Sequence, residues 1–275
     1  MKRFLTLLLP FVMIVSACGE KSTVPYVFPD PPFAGQAVRY VCANPGAPIL
    51  SLSFTEGGTY LLCRREAEPV AGGPDKSYVA GRYAVDVDGV YLLDGYGTVK
   101  VGGTKADAAE LTFSPTVGEP VVIRCIVQTG GEGGSLYRQW SVTTTRVRLS
   151  GDISVAADFT GCDINEICGF LEENGLISHN TFPAGQKVSL VDISTLGEVT
   201  VLYENGNVDY ATISSYTATA IGYEWASPGM GYGFETGTAT FEFDEDYCIF
   251  TIVGRFTGNG KEVDMALIWA LQANK

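Results

Sequence analysis

The chain has 275 residues, with 18 Lys and Arg against 31 Asp and Glu, one histidine and a formal net charge of −13. A surface that acidic, with no cluster of basic residues, is repelled by nucleic acid and anionic headgroups and excludes both as partners. With a single histidine, His179, most general-base, triad and metal chemistry is also set aside, and the abundance of Gly (33), Tyr (14) and Phe (14) favours strands and turns over helices.

The first eighteen residues carry an address. Lys2 and Arg3 precede an apolar run from Phe4 to Val15, followed by Val15-Ser16-Ala17-Cys18. Charge, a short apolar core and small residues before a cysteine read as a lipoprotein signal peptide over residues 1–17. The run is shorter than the roughly 20 residues needed to span a bilayer, so it is expected to be cleaved. Cys18 then becomes the lipidated first residue and membrane contact comes through its acyl chains. The mature chain keeps 16 basic residues against 31 acidic ones, a net charge of about −15.

Residues 18–35 form the lipidated N-terminus and a stalk, in which Pro25, Pro29, Pro31 and Pro32 favour extended conformations. Period-two patterns then dominate residues 36–150, the first expected β domain. Leu50 to Phe54 alternates, Glu56-Gly57-Gly58 supplies a turn, and Thr59 to Cys63 resumes as the second arm of a hairpin. Further strands are predicted at 78–87, 90–93, 98–101, 110–113, 121–127 and 140–149, separated by Asp-Gly and Gly-Gly turns.

Residues 151–275 are read as a helix-containing segment followed by a second β domain. Asp163 caps the helix, Glu166 completes a capping box, and Ile164, Ile167, Cys168 and Leu171 form one apolar stripe. Asn174-Gly175 ends it. That helix is expected to close a barrel end or to sit between the two β parts. Strands follow at 188–193, 198–203, 208–213, 216–225, 237–243, 248–256 and 262–271. The turns at Glu56-Gly57-Gly58 and Glu204-Asn205-Gly206 are compatible with a divergent duplication and equally with common hairpin chemistry. The fold class predicted is all-β, with two small antiparallel meander or barrel domains and one short connecting helix.

Six cysteines remain after Cys18: Cys42, Cys63, Cys125, Cys162, Cys168 and Cys248. An oxidising compartment allows disulfides, with fifteen full pairings open, and buried free thiols are the alternative for each. No zinc spacing occurs, and no metal site or cofactor is predicted. Asp244-Glu245-Asp246 reads as a solvated turn, and His179 as a loop residue. The aromatic residues Tyr223, Trp225, Tyr232 and Phe234 gather in one hairpin region and are the candidate ligand-binding residues, with core packing as the alternative. No catalytic residue is assigned.

The lipobox at Cys18, Phe54-Thr55-Glu56-Gly57-Gly58-Thr59-Tyr60, Phe159-Thr160-Gly161-Cys162-Asp163-Ile164-Asn165-Glu166-Ile167, Tyr203-Glu204-Asn205-Gly206 and Gly258-Asn259-Gly260-Lys261 carry a resemblance. In the order of these parts the chain resembles the uncharacterised lipocalin-like surface lipoproteins of the Bacteroidetes type. The resemblance implies barrel-like β domains and a lipid anchor at the outer membrane, on its periplasmic or surface face, with no catalytic signature to carry over. The expected function is non-catalytic binding of a small apolar or glycan-like ligand at the cell envelope; the alternative is a structural or accessory subunit of a surface protein complex.

Overall fold

The computed structural model describes residues 37–44, 46–66, 75–105, 108–129, 135–182, 185–226 and 236–274. The lipobox, the stalk, Tyr232 and Phe234 lie outside the described residues.

Eight antiparallel strands form the first barrel: β1 (Val38–Cys42), β2 (Ile49–Phe54), β3 (Thr59–Arg65), β4 (Lys76–Val85), β5 (Val90–Leu93), β6 (Gly97–Lys105), β7 (Ala108–Pro115) and β8 (Val121–Thr129). Each pairs with its neighbour in sequence, and β8 returns to β1 to close the ring. Closure removes the free edges that an open meander would leave to pair with other chains. The interior is filled by alternate residues of these strands, among them Tyr40, Leu52, Phe54, Tyr60, Leu62, Tyr83, Leu111 and Ile123. Phe54 stands at the centre, stacked on Tyr91 at 4.3 Å and edge-on to Tyr83 at 4.7 Å.

The second unit comprises β9 (Gln139–Gly151), β10 (Val155–Thr160), α1 (Ile164–Glu173), β11 (Val188–Ser194), β12 (Glu198–Tyr203), β13 (Val208–Tyr216), β14 (Ala220–Trp225), β15 (Thr236–Asp244), β16 (Tyr247–Gly258) and β17 (Lys261–Ala273). Strands β11 to β17 run as a meander, and β9 pairs with both β11 and β17 to close an eight-stranded barrel. Thus the expected class holds: two antiparallel barrels and one helix. The interior again consists of the protein's own side chains, with Trp140, Trp269, Phe241, Phe250 and Leu271 at its centre. Trp140 and Trp269 are both fully buried, and Trp140 donates its indole N–H to the Leu136 carbonyl at 3.0 Å.

The boundary expected at residue 150 needs correction. Strand β9, assigned by its position to the first half, is a stave of the second barrel, where Trp140, Val142, Val147 and Leu149 enter the core. Alternation shows that a strand has one apolar face but is silent on which sheet that face joins. The pattern also missed β1, which follows the proline-rich segment directly, and β10, which is short and mostly exposed.

Helix α1 has the Asp163 N-cap and the Asn174-Gly175 ending that its sequence predicts. Asp163 accepts a hydrogen bond from the Asn165 N–H at 2.8 Å. At the other end, Gly175 is left-handed (φ 68°), and the N–H groups of Gly175 and Leu176 reach the Glu172 and Leu171 carbonyls. This is a Schellman ending, which satisfies carbonyls the helix would otherwise leave open. The buried stripe of Ile164, Ile167, Cys168 and Leu171 packs into the second barrel, so the helix closes that barrel rather than bridging the two.

The barrels meet through the outer faces of β1 to β4 and of β11 to β13. Arg39 forms an ion pair with Asp192, whose other oxygen accepts from Ser53 at 3.3 Å. Glu198 accepts from Tyr78 and pairs with Lys76, while Tyr78 lies 5.0 Å from Tyr210. Arg39, Asp192 and Glu198 are each no more than 5% exposed. Burial pulls the Arg39 guanidinium below its ordinary value, to about 10.

Candidate functional site

Of the four aromatic residues singled out in the sequence, two are described. Tyr223 and Trp225 are alternate residues of β14 and share its inner face, their rings edge-on at 6.4 Å. Tyr223 is part of the buried core, whereas Trp225 is half-buried against it near the end of the strand. The Trp225 indole nitrogen is enclosed and has no hydrogen-bond partner among the described residues. Beside them, Gly237 stands opposite Tyr223 in the β14–β15 register, and a Cβ there would lie 2.8 Å from the Tyr223 hydroxyl. The glycine makes room for the ring.

The acidic and histidine candidates have structural roles. Asp244 to Asp246 turn the chain between β15 and β16, with Glu245 left-handed (φ 53°), and Asp246 accepts from Arg138 at 2.9 Å. His179 is exposed, 3.7 Å from Glu172, and the neighbouring Ser178 hydroxyl donates to Asn259 instead. Among the described residues no group of three or more His, Cys, Asp or Glu side chains is arranged to hold a metal ion.

A second surface, not anticipated from the sequence, lies outside the second barrel. Among the described residues strand β10 pairs with β9 alone, along Val155 to Thr160. The Gly161 N–H donates to the Thr143 carbonyl, so odd-numbered residues of β10 carry the ladder to β9. The backbone groups of Ala156, Asp158 and Thr160 therefore point away from the sheet. Beyond this open edge is a groove of about 640 Å³, walled by Ala157 to Thr160 on one side and by Asn165, Glu166, Gly169, Phe170 and Glu173 of α1 on the other. These helix positions share the face opposite the buried stripe. Phe159 and Phe170 meet edge-on at 6.2 Å and form the apolar part of the groove, while Glu166 and Glu173 supply negative charge.

Gly169 gives the groove its width. It sits inside the helix, where glycine costs about 1 kcal/mol relative to alanine, and a Cβ built on it would meet nothing within 4 Å. The sequence did hold a signal for this site: a helix-interior glycine next to a short strand whose polar residues, Asp158 and Thr160, alternate with Ala157 and Phe159. A third recess of about 350 Å³ lies at the seam between the barrels, lined by Thr59, Gly81, Arg82, Ser189, Tyr203 and Glu204 among others.

No protein-family model and no curated protein matches the chain. Among solved structures it is similar to the di-domain ARO/CYC BexL from the BE-7585A biosynthetic pathway, at 8% identity over 86% of this chain and 75% of that one, with a TM-score of 0.14. A likeness that low carries no argument about fold or activity.

Proposed function

We propose that the protein is a non-catalytic, lipid-anchored component of the bacterial outer membrane, tethered through Cys18, and that it acts as an accessory subunit holding an extended segment of a protein partner. The observation that supports this most is the open edge of β10 beside its groove. An incoming strand gains main-chain hydrogen bonds from Ala156, Asp158 and Thr160, and alternate side chains find Phe159 and Phe170 below. Glu166 and Glu173 on the opposite wall favour a segment carrying Lys or Arg.

The test is selection of random extended peptides against the soluble protein, followed by anisotropy measurements on those retained. Peptides alternating β-branched and basic residues are expected, with binding that weakens as salt rises. Ala156→Pro removes one outward-pointing N–H without touching the β9 ladder, and Gly169→Leu fills the groove; each should lower affinity roughly tenfold or more. Binding unaffected by both variants would overturn the assignment.

A second reading, binding of a small apolar or glycan-like ligand, is favoured by one observation: the enclosed indole N–H of Trp225, which lies beside Tyr223 and has no partner among the described residues. A buried donor without an acceptor is costly, and a ligand oxygen would relieve it. A ligand that raises the melting midpoint of the parent protein but not of Trp225→Phe, which keeps a ring and loses the N–H, would establish this reading. Equal shifts in both would remove it.

A further inference from the structure

Two of the cysteines face each other where the first barrel closes. Strands β1 and β8 are its first and last staves, and in their register Cys42 stands directly opposite Cys125. The Ala43 N–H donates to the Arg124 carbonyl at 2.8 Å, making residues 43 and 124 a hydrogen-bonded pair. Cys42 and Cys125, one step along, are therefore a non-hydrogen-bonded pair, the kind in which Cα atoms lie about 4.5 Å apart and the side chains come closest. That separation falls within the range of roughly 4.4–6.8 Å over which disulfides form.

Both side chains also lie on the same face. Cys125 belongs to the first barrel's core and Cys42 packs against that core from the barrel end. None of the other four cysteines has a cysteine as its register partner. Cys63 pairs with Ser51 and Tyr78, Cys248 with Leu271 and Phe243, Cys168 lies on α1, and Cys162 precedes it.

We propose that Cys42 and Cys125 form a disulfide that stitches the closing seam of the first barrel. The oxidant is another disulfide, of a small thiol or of a thiol oxidase. The Cys42 thiolate, on the more exposed side chain, attacks one sulfur of that disulfide and expels the other as a thiolate. The Cys125 thiol then gives up its proton, attacks the Cys42 sulfur of the mixed disulfide and releases the second thiolate. The protein loses two protons and two electrons, and the oxidant is reduced to two thiols. The bond encloses most of the first barrel in one covalent loop, which lowers the entropy of its unfolded state.

The geometry does not depend on where the protein resides, whereas oxidation in the cell requires the exported location read from residues 1–18. The experiment separates the two. Purified full-length protein is reduced, equilibrated in an oxidising glutathione buffer, alkylated and mapped by mass spectrometry. The expected result is a peptide joining Cys42 to Cys125, with the other described cysteines alkylated as thiols after unfolding. Oxidation should raise the melting midpoint by about 10 °C, and Cys42→Ser or Cys125→Ser should abolish that gain. If Cys42 and Cys125 are recovered as thiols, or if Cys42 joins a different cysteine, the proposal fails. If they pair in the buffer but are thiols in protein extracted from cells under alkylating conditions, the seam disulfide stands as a property of the fold and the exported location fails.

Discussion

Asp192 illustrates how a single side chain can hold two domains together. Its carboxylate is 3% exposed and meets Arg39 and Ser53 of the other barrel. Truncating one member of a buried ion pair leaves the other charge without compensation. Asp192→Ala is therefore expected to cost about 3–5 kcal/mol, while replacing both partners (Arg39→Met with Asp192→Leu) recovers much of that loss. Chemical denaturation of the two variants measures the difference. Asp163 works at lower stakes: it supplies one capping acceptor, so Asp163→Ala should destabilise the protein by about 0.5–2 kcal/mol. An unchanged midpoint would show that the helix is held by its buried stripe alone.

Among the elements, α1 has two faces with different obligations. Its stripe of Ile164, Ile167, Cys168 and Leu171 is committed to the second barrel, while Gly169 and its neighbours face the groove. Gly169→Ala should stabilise the helix by about 1 kcal/mol, because no neighbouring atom obstructs the new methyl group. Gly169→Leu, the groove-filling variant, should fold at least as well as the parent while losing the partner peptide. Stability and binding then move independently, and a thermal melt run beside the anisotropy titration reads both. Strand β10 was overlooked in the sequence for a physical reason. An edge strand buries only part of one face, so Val155 to Thr160 lacks the apolar repetition that reveals a core strand.

The whole molecule is strained by alkali. Burial pushes Tyr40, Tyr60 and Tyr83 of the first barrel up from 10.0 to about 12, and Cys162 and Cys248 of the second up from 9.0 to about 12. A group whose folded value is raised holds its proton more tightly when folded, so its contribution is fully present below the unfolded value. That contribution is lost as pH rises through the folded value. Stability should thus fall from about pH 9–10 and continue falling to about pH 12, with both barrels affected. Denaturation midpoints measured across this range should decline; a flat profile would show the phenols and thiols to be accessible. The two hairpins that suggested a duplication occupy different places in their barrels. Glu56 to Gly58 joins the second and third strands of one ring, and Glu204 to Gly206 joins the third and fourth of the other, counting round from β9.

Most strands, the helix with both its caps, and the two-barrel class were legible from the sequence, because alternation, turn residues and capping chemistry act over a few neighbouring residues. Leu50 to Phe54 shows where that legibility ends. Its alternation sets Leu52 and Phe54, which enter the core, apart from Ser51 and Ser53, yet both serines are buried as well and Ser53 meets Asp192 of the other barrel. The polar face of a strand is written locally; what covers it is decided by another sheet well over a hundred residues away. The same holds for β9, whose pattern fits either barrel, for Cys42 and Cys125, whose pairing exists only once the ring closes, and for the open edge of β10. Long-range register and closure bring together residues that no local pattern connects, and the proposed disulfide arises from that closure.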